Sequence, residues 1–142
     1  MDQKNKRVIA LGFFDGVHRG HGALLRRVTE QARELGATAS AFTFDRSPTA
    51  AITGQAVPLL SSVEDRVWLM RTYYGIQEVI VSSFDGMMRM EWQDFITEYL
   101  VKQLHVVHVV AGHDFHFGYM GKGNPQRLQE TCSKLGIGCD II

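Results

Sequence analysis

The chain has 142 residues, of which 45% are hydrophobic and 21% charged, and its 15 basic and 15 acidic side chains give a formal net charge of zero. A domain of this size can bury a sizeable core, and balanced charge offers no field that would attract nucleic acid or an anionic lipid surface. No apolar stretch approaches the roughly 20 residues that a membrane-spanning helix needs, and the charged N-terminus lacks the apolar core of a signal peptide. We therefore expect a cytoplasmic protein with reduced cysteines and small-molecule partners, and with neither nucleic acid nor a membrane as a partner.

Apolar, β-branched runs alternate with amphipathic stretches along the whole chain. Strands are predicted, in chain order, at 8–13, 38–44, 78–81, 106–111 and 139–142. Helices are predicted at 20–35, from Ser61 or Ser62 to Gly75, at 91–103 and at 126–135, with loops at 82–90 and 112–123. In the first helix, apolar residues recur at helical spacing at Leu24, Leu25, Val28 and Ala32, and the apolar residues that carry the second helix to Gly75 are Val67, Leu69, Met70 and Tyr73. In the third helix, the residues expected to point inward are Phe95, Ile96, Tyr99 and Leu100.

Five β/α units in succession predict an α/β fold with a Rossmann-like, doubly wound, parallel five-stranded sheet. In such sheets, ligands bind beyond the carboxyl ends of the strands. Two polar loops that contain several glycines, 12–21 and 112–123, follow predicted strands and therefore lie at that edge. We expect these loops to form one shared site.

His18 and His21 lie three residues apart at the predicted start of the first helix, with Gly20 between them. The first amides of a helix point outward without partners, and the helix dipole favours negative charge there. Residues at i and i+3 share a helix face, so both imidazoles can reach one phosphate, and Gly20 lets a ligand approach the backbone closely. This pattern is typical of a site that transfers an adenylyl or cytidylyl group. Asp15 fits either a turn residue at the helix entry or a direct contact to substrate or metal.

The stretch Gly12-Phe13-Phe14-Asp15-Gly16-Val17-His18-Arg19-Gly20-His21 resembles the first signature of bacterial FAD synthetases, in their FMN adenylyltransferase module. Residues 110–118, with the sequence Val-Ala-Gly-His-Asp-Phe-His-Phe-Gly, resemble the second nucleotide motif of that family. The segments 42–48 and 59–66 match two further family segments in the same order. A His-x-Gly-His motif by itself identifies only the HIGH-type nucleotidyltransferase superfamily, whereas this combination is much more specific.

The resemblance implies the reaction of FMN with ATP to give FAD and pyrophosphate, with magnesium accompanying ATP. Catalysis would consist of aligning two anions and stabilising charge on the phosphoryl oxygens, with His18 and His21 as the catalytic hydrogen-bond donors. The implied nucleotide-binding residues are Gly12, Phe13, Phe14, Asp15, Gly16, Gly20, Gly112, Asp114 and Phe115. The implied flavin-binding residues are Phe44, Ser47, Pro48, Phe117 and Gly118. We assign no metal-binding residues, because His113 and His116 lack the further ligands that a zinc site needs.

The chain departs from the family pattern in two motifs and at its C-terminal end. Arg46 and Ser47 stand where the family usually has the first proline and the histidine of a Pro-His-Pro turn, and His116 stands where many members carry arginine or threonine. The chain ends at Ile142, before the family's Ile-Ser-Ser-Thr-x-x-Arg-like segment and its riboflavin kinase domain. We therefore expect residues 1–142 to be an FMN adenylyltransferase-like domain that is incomplete at its C-terminal end.

Two other functions stay open. One is a related nucleotidyltransferase with another phosphate acceptor, such as a glycerol-phosphate cytidylyltransferase or a pantetheine-phosphate adenylyltransferase. The other is a domain that binds ATP, FMN or FAD without turnover.

Two structural questions also stay open. The methionines of 87–90 form either a lid over the flavin or loop packing, and one of Phe13 and Phe14 is expected in the core with the other facing the site.

Overall fold

The computed structural model describes residues 6–14, 19–45 and 62–142. Its strands are β1 (Arg7–Leu11), β2 (Thr38–Phe44), β3 (Glu78–Ser82), β4 (Val106–Ala111) and β5 (Gly138–Ile141). Its helices are α1 (Arg19–Leu35), α2 (Val63–Tyr74), α3 (Phe84–Met88), α4 (residues 92–103) and α5 (Pro125–Leu135). Helix α4 begins as an α-helical turn (Trp92–Asp94) and continues as a π-helix (Phe95–Gln103). A 3₁₀ turn, Tyr119–Gly121, precedes α5.

In the described part of the chain, all five strands pair in parallel in the order β3-β2-β1-β4-β5. The strand order reverses between β1 and β4. One face of the sheet packs against apolar residues of α1 and α2, and the other against those of α3, α4 and α5. This arrangement confirms the predicted doubly wound α/β fold.

Capping residues set the helix boundaries where the sequence predicts them. Ser62 begins α2, and its hydroxyl accepts a hydrogen bond from the amide three residues further on, at 3.1 Å. Gly75 ends α2 in the left-handed conformation, with φ of 69°. Asn124 and Gly136 cap α5 in the same two ways. These signals explain why the predicted limits of α2 are confirmed and those of α5 differ by a single residue.

The predicted loop at 82–90 is wrong, because residues 84–88 in its middle form the short helix α3. Ser83 is the N-cap, and its hydroxyl accepts a hydrogen bond from the Gly86 amide at 3.2 Å. Phe84 and Met87 on this helix are buried in the core. A serine cap followed by two buried residues stabilises one helical turn, even though the segment is too short for a periodicity signal.

The apolar residues of α2 do not define its buried face, since the side chain of Tyr73 is 66% exposed. The residues that α2 buries are Arg66 and Met70, four positions apart on one helix face. Because a buried arginine does not count as apolar, hydrophobic periodicity places the inner face incorrectly. On α4, in contrast, the predicted inward residues Phe95, Ile96 and Leu100 are buried, although most of that helix is a π-helix.

An ion pair at the amino edge of the sheet joins β1 to β3 across β2. Arg7 binds Glu78 through two hydrogen bonds, with Nε–Oε1 at 2.6 Å and Nη2–Oε2 at 3.1 Å. Ser40 on β2 also donates to Glu78, at 3.1 Å. The hydrogen bond from Arg7 lowers the pKa of Glu78 below its ordinary value and outweighs the opposing effect of partial burial.

We expect Glu78→Gln to reduce the loss of stability in acid. Because folding lowers the pKa of Glu78, the ionised pair stabilises the folded state above the unfolded-state pKa of about 4.3, and this stabilisation is lost as the pH falls through the folded-state pKa. The wild type should therefore lose more free energy of unfolding than Glu78→Gln between about pH 7 and about pH 3, as measured by urea denaturation. Glu98→Gln is the control, since Glu98 forms an exposed pair with Lys102 at 3.0 Å, and it should behave like the wild type. Equal losses in the wild type and Glu78→Gln would contradict this account.

Candidate active site

The two predicted site loops follow neighbouring strands. Gly12 follows β1 and Gly112 follows β4, and these strands pair side by side with Leu11 opposite Ala111. This pair is also the point where the strand order reverses, which is where open α/β sheets form a crevice. The structure therefore brings residues 12–14, which leave β1, and the 112–123 loop, which leaves β4, to the same carboxyl edge of the sheet.

The turn that leads out of β1 resolves the roles of two phenylalanines. Phe14 is the core residue, 1% exposed, and its ring packs so closely on Gly12 that a Cβ there would lie 2.9 Å from the ring. Phe13 is half-buried. Phe14 has a φ of 61°, which is rare for a bulky side chain and stores backbone strain. Strain of this kind is concentrated at functional sites in proteins.

His21 lies in the first turn of α1 and is half-buried. Its ring meets the ring of Phe14 edge to face, with centroids 5.1 Å apart and an interplanar angle of 78°. Gly20 precedes it in the same turn. The strained turn thus supports the imidazole at the end of the helix that attracts anions.

Contacts in the middle of α1 hold the helix to its neighbours. Arg27 Nε donates to Asp140 Oδ2 at 2.7 Å, and His108 Nε2 lies 2.8 Å from the same oxygen. Partial burial raises the pKa of Asp140, but the hydrogen bonds from Arg27 and His108 outweigh it and hold that pKa below its ordinary value. Thr29 also donates to the Tyr74 carbonyl of α2 at 2.7 Å. These contacts fix the direction in which the N-terminus of α1 points.

A buried arginine, which the sequence analysis did not single out, lies beneath the site. Arg66 on α2 is 0% exposed, and its guanidinium carbon is 4.7 Å from the centre of the Phe13 ring. Its Nη1 donates to the carbonyls of Phe13 and Phe44 and to the hydroxyl of Thr43. Arg66 is the last residue of the 59–66 segment that resembles the family, but the sequence does not indicate its burial, because its acceptors lie far from it in the chain.

The loop after β4 is a tight turn with an exposed carboxylate. The Phe115 amide donates to the Gly112 carbonyl at 3.1 Å, and the carboxylate of Asp114 approaches Gly112 so closely that a Cβ there would lie 3.1 Å from Oδ1. His113 bonds the last residue of the chain through its amide at 3.1 Å. Both His116 and Asp114 are exposed. This loop therefore offers a carboxylate to a ligand at the sheet edge.

Besides Phe14, three more aromatic rings that are predicted to contact ligands are core residues in the structure. Phe44 and Phe115 stack with centroids 6.3 Å apart and an interplanar angle of 5°, and Phe115 and Phe117 stack at 5.8 Å and 20°. Their exposed fractions are 2%, 7% and 0% for Phe44, Phe115 and Phe117. The rings thus form a floor under the carboxyl edge, and their ligand contacts stay predictions.

Gly118 is a buried position that only glycine fits. It has φ of 79° and ψ of −177°, and a Cβ there would lie 2.7 Å from the Trp92 Cα. Its amide donates to the sulfur of Met87 at 2.9 Å. Met87 is buried, and Met88 and Met90 pack against the same core. These contacts favour the packing alternative for the methionines of 87–90.

A sequence model of the FAD synthetase family matches residues 1–142. The chain belongs to the FAD synthetase family. This finding confirms the resemblance that the motifs at 12–21 and 110–118 predict.

Curated relatives of this FAD synthetase chain are longer than the chain itself. The bifunctional riboflavin kinase/FMN adenylyltransferase of Listeria monocytogenes is 37% identical over 120 residues, which are 82% of this chain and 38% of the relative. The protein of the same name from Bacillus subtilis is 31% identical over 144 residues, 99% of this chain and 45% of the relative. The chain thus spans less than half the length of these relatives.

A crystal structure of a macrolide-efflux protein from Streptococcus pneumoniae superimposes with a TM-score of 0.79 at 23% identity, over 99% of this chain and 48% of the other. At that identity the likeness shows the fold alone.

Part of the predicted site lies outside the described residues. This applies to the predicted residues Asp15, Gly16, His18, Ser47 and Pro48. Within the described ranges, no group of three or more His, Cys, Asp or Glu side chains is placed to hold a metal ion. The same residues contain no helix with the length and apolarity that a membrane crossing requires.

Proposed function

We propose that this chain transfers AMP from ATP to FMN, giving FAD and pyrophosphate, as the FMN adenylyltransferase module of a FAD synthetase. The observation that carries the proposal is that His21, in the first turn of the helix that follows β1, and Asp114, on the loop that follows β4, come after neighbouring strands of the sheet. Family membership and the names of the relatives, which include FMN adenylyltransferase, support it. The reaction would take place in the cytoplasm, where the free thiols of Cys132 and Cys139 stay reduced.

The proposed reaction needs alignment more than it needs a reactive protein group. A phosphate oxygen of FMN attacks the α-phosphorus of ATP, a new P–O bond forms, and the bond to the β-phosphate oxygen breaks to release pyrophosphate. The attacking oxygen is already anionic, so no protein nucleophile or strong base is required. The protein has to bring two anions together and stabilise the charge that grows on the phosphoryl oxygens. Magnesium enters with ATP as part of the substrate.

His21 is the described residue best placed to stabilise that charge. It lies on the first turn of α1, where unpaired amides and the dipole of a 17-residue helix favour a phosphate. The edge contact with Phe14 fixes the His21 ring, so the imidazole loses little conformational entropy when it donates a hydrogen bond to the phosphoryl oxygen. His18 is proposed as the second donor.

The loop after β4 is proposed to hold the nucleotide. The exposed carboxylate of Asp114 can accept hydrogen bonds from the ATP ribose or meet the magnesium that accompanies ATP. Gly12 and Gly112 let the backbone approach the nucleotide. The flavin is proposed to lie at the end of β2 beside Phe44, over the floor of stacked aromatic rings.

A panel of phosphate acceptors tests the proposed substrate. The full-length protein is incubated with magnesium and ATP and, in separate reactions, with FMN, glycerol phosphate or phosphopantetheine, and products are identified by mass. FAD should form from FMN, and neither of the other acceptors should be adenylylated. Turnover of a non-flavin acceptor instead of FMN would show a related nucleotidyltransferase, and tight binding of FMN and ATP without any product would show a binding domain.

A further inference from the structure

Arg66 connects the two halves of the proposed site through a single nitrogen. Its Nη1 donates to the Phe13 carbonyl at 2.9 Å and to the Phe44 carbonyl at 3.1 Å. Phe13 belongs to the turn that leads from β1 to α1, on the proposed nucleotide side. Phe44 is the last residue of β2, on the proposed flavin side. The guanidinium group therefore joins these two chain segments, next to the backbone hydrogen bond from the Gly12 amide to the Phe42 carbonyl at 3.2 Å.

The hydroxyl of Thr43 closes this network. It accepts from Arg66 Nη1 at 2.8 Å and donates to the Phe13 carbonyl at 2.5 Å. Arg66, Thr43 and the Phe13 carbonyl thus form a closed triangle, and Thr43 itself is 0% exposed. Each member holds the other two, so the Phe13 backbone cannot move without breaking more than one hydrogen bond.

The buried charge makes this arrangement specific. A cation that is removed from water must keep its hydrogen-bond acceptors, because an unsatisfied buried charge is strongly unfavourable. The Phe13 ring under the guanidinium adds a cation–π contact to the same turn. The next residue after Phe13 is the strained Phe14, which supports His21. A shift at Arg66 is therefore transmitted through two adjacent residues to the proposed catalytic histidine.

We propose that Arg66 is a positioning residue that sets the spacing between the nucleotide half and the flavin half of the site. It acts through the Phe13 and Phe44 backbone, and it does not touch the reacting atoms. The inference rests on the proposed function. Because a misplacement of about 1 Å costs about 10²-fold in rate, loss of the guanidinium should lower kcat strongly. The halves themselves remain, so the Kd of ATP alone and the Kd of FMN alone should stay within about 3-fold of wild type.

The test compares three variants at Arg66 and Thr43 with a matched control. Arg66→Met keeps the length of the side chain and removes the charge, and it should lower kcat about 10²-fold. Arg66→Lys should recover part of that loss. The lysine ammonium group has three N–H donors, and these can bond the three oxygens that accept from Arg66 Nη1 in the wild type. Thr43→Val keeps the shape, removes the bridging hydroxyl and should lower kcat about 10-fold. Arg71→Met on the same helix is the control, since Arg71 is exposed and its Nη2 donates to the Gln77 carbonyl at 3.0 Å, far from Phe13 and Phe44 in the chain, and it should keep wild-type kcat.

A binding measurement separates this inference from the proposed function. Flavin fluorescence gives the affinity for FMN with and without a non-hydrolysable ATP analogue. In the wild type the analogue should raise FMN affinity about 5-fold or more, and Arg66→Met should abolish that coupling. If the wild type makes no FAD but shows this Arg66-dependent coupling, the proposed function fails and the positioning role stands. The inference is overturned if the ATP analogue still raises FMN affinity in Arg66→Met. It is also overturned if kcat per folded molecule is unchanged in that variant, or if only KM changes. If Arg66→Met does not fold, Thr43→Val decides by the same criteria.

Discussion

Replacement of His21 by alanine is expected to lower the rate of adenylyl transfer by about 10²–10³-fold, since this is the usual effect of removing one hydrogen-bond donor from a charge-stabilising site. His21 is half-buried and lies in the first turn of α1, in edge contact with Phe14. Its loss removes the imidazole but leaves the sheet and the buried face of the helix in place. The thermal unfolding midpoint should therefore change little while kcat, measured by FAD formation, falls.

A second histidine provides the control for His21→Ala. His105 lies just before β4, at the opposite edge of the sheet, and has a φ of 53°. Asparagine tolerates this left-handed conformation, so His105→Asn should keep wild-type kcat. A wild-type rate in His21→Ala would remove His21 from the mechanism. Equal losses in both variants would show a general effect of replacing histidine.

Gly118→Ala is expected to destabilise the fold by about 3 kcal/mol or more, because it combines backbone strain with steric overlap. The backbone conformation at Gly118 is essentially restricted to glycine, and the new Cβ would lie 2.7 Å from the Trp92 Cα. Relief would require moving either the start of α4 or the loop that holds Phe117. Denaturant unfolding of the variant should show a lower midpoint.

Gly136→Ala is the matched control for this variant. Gly136 also has a positive φ, of 73°, but a Cβ there meets nothing within 4 Å. Its replacement should cost only about 1 kcal/mol, from the left-handed conformation. If Gly118→Ala cost no more than Gly136→Ala, the close packing of Gly118 against Trp92 would be contradicted.

The sequence predicts the fold well because the fold depends on local signals. The limits of β2 and β4 are confirmed residue for residue, and α2 starts and stops at the caps that its serine and glycine predict. The π-helix of α4 and the short helix α3 were not predicted. The apolar residues of a π-helix can follow the same inward pattern as those of an α-helix, and α3 is shorter than the window in which periodicity can be detected.

The candidate site was predictable in location but not in its supporting contacts. The rule that ligands bind at the carboxyl edge places the loops after β1 and β4 together, and the structure agrees. Arg66 could not be found in this way, because its acceptors lie on the turn after β1 and on β2, and they meet it only after folding. The same is true of Phe115 and Phe117, since a motif does not show whether an aromatic ring faces a ligand or the core.

FMN-dependent release of pyrophosphate is the measurement that tests the central claim most directly. The full-length protein is mixed with magnesium, ATP and FMN, and pyrophosphate and FAD are quantified in the same reaction, with FAD identified by absorbance and mass. The account predicts equal amounts of the two products and no pyrophosphate when FMN is left out. Bound ATP and FMN without pyrophosphate, or pyrophosphate release that does not depend on FMN, would contradict it.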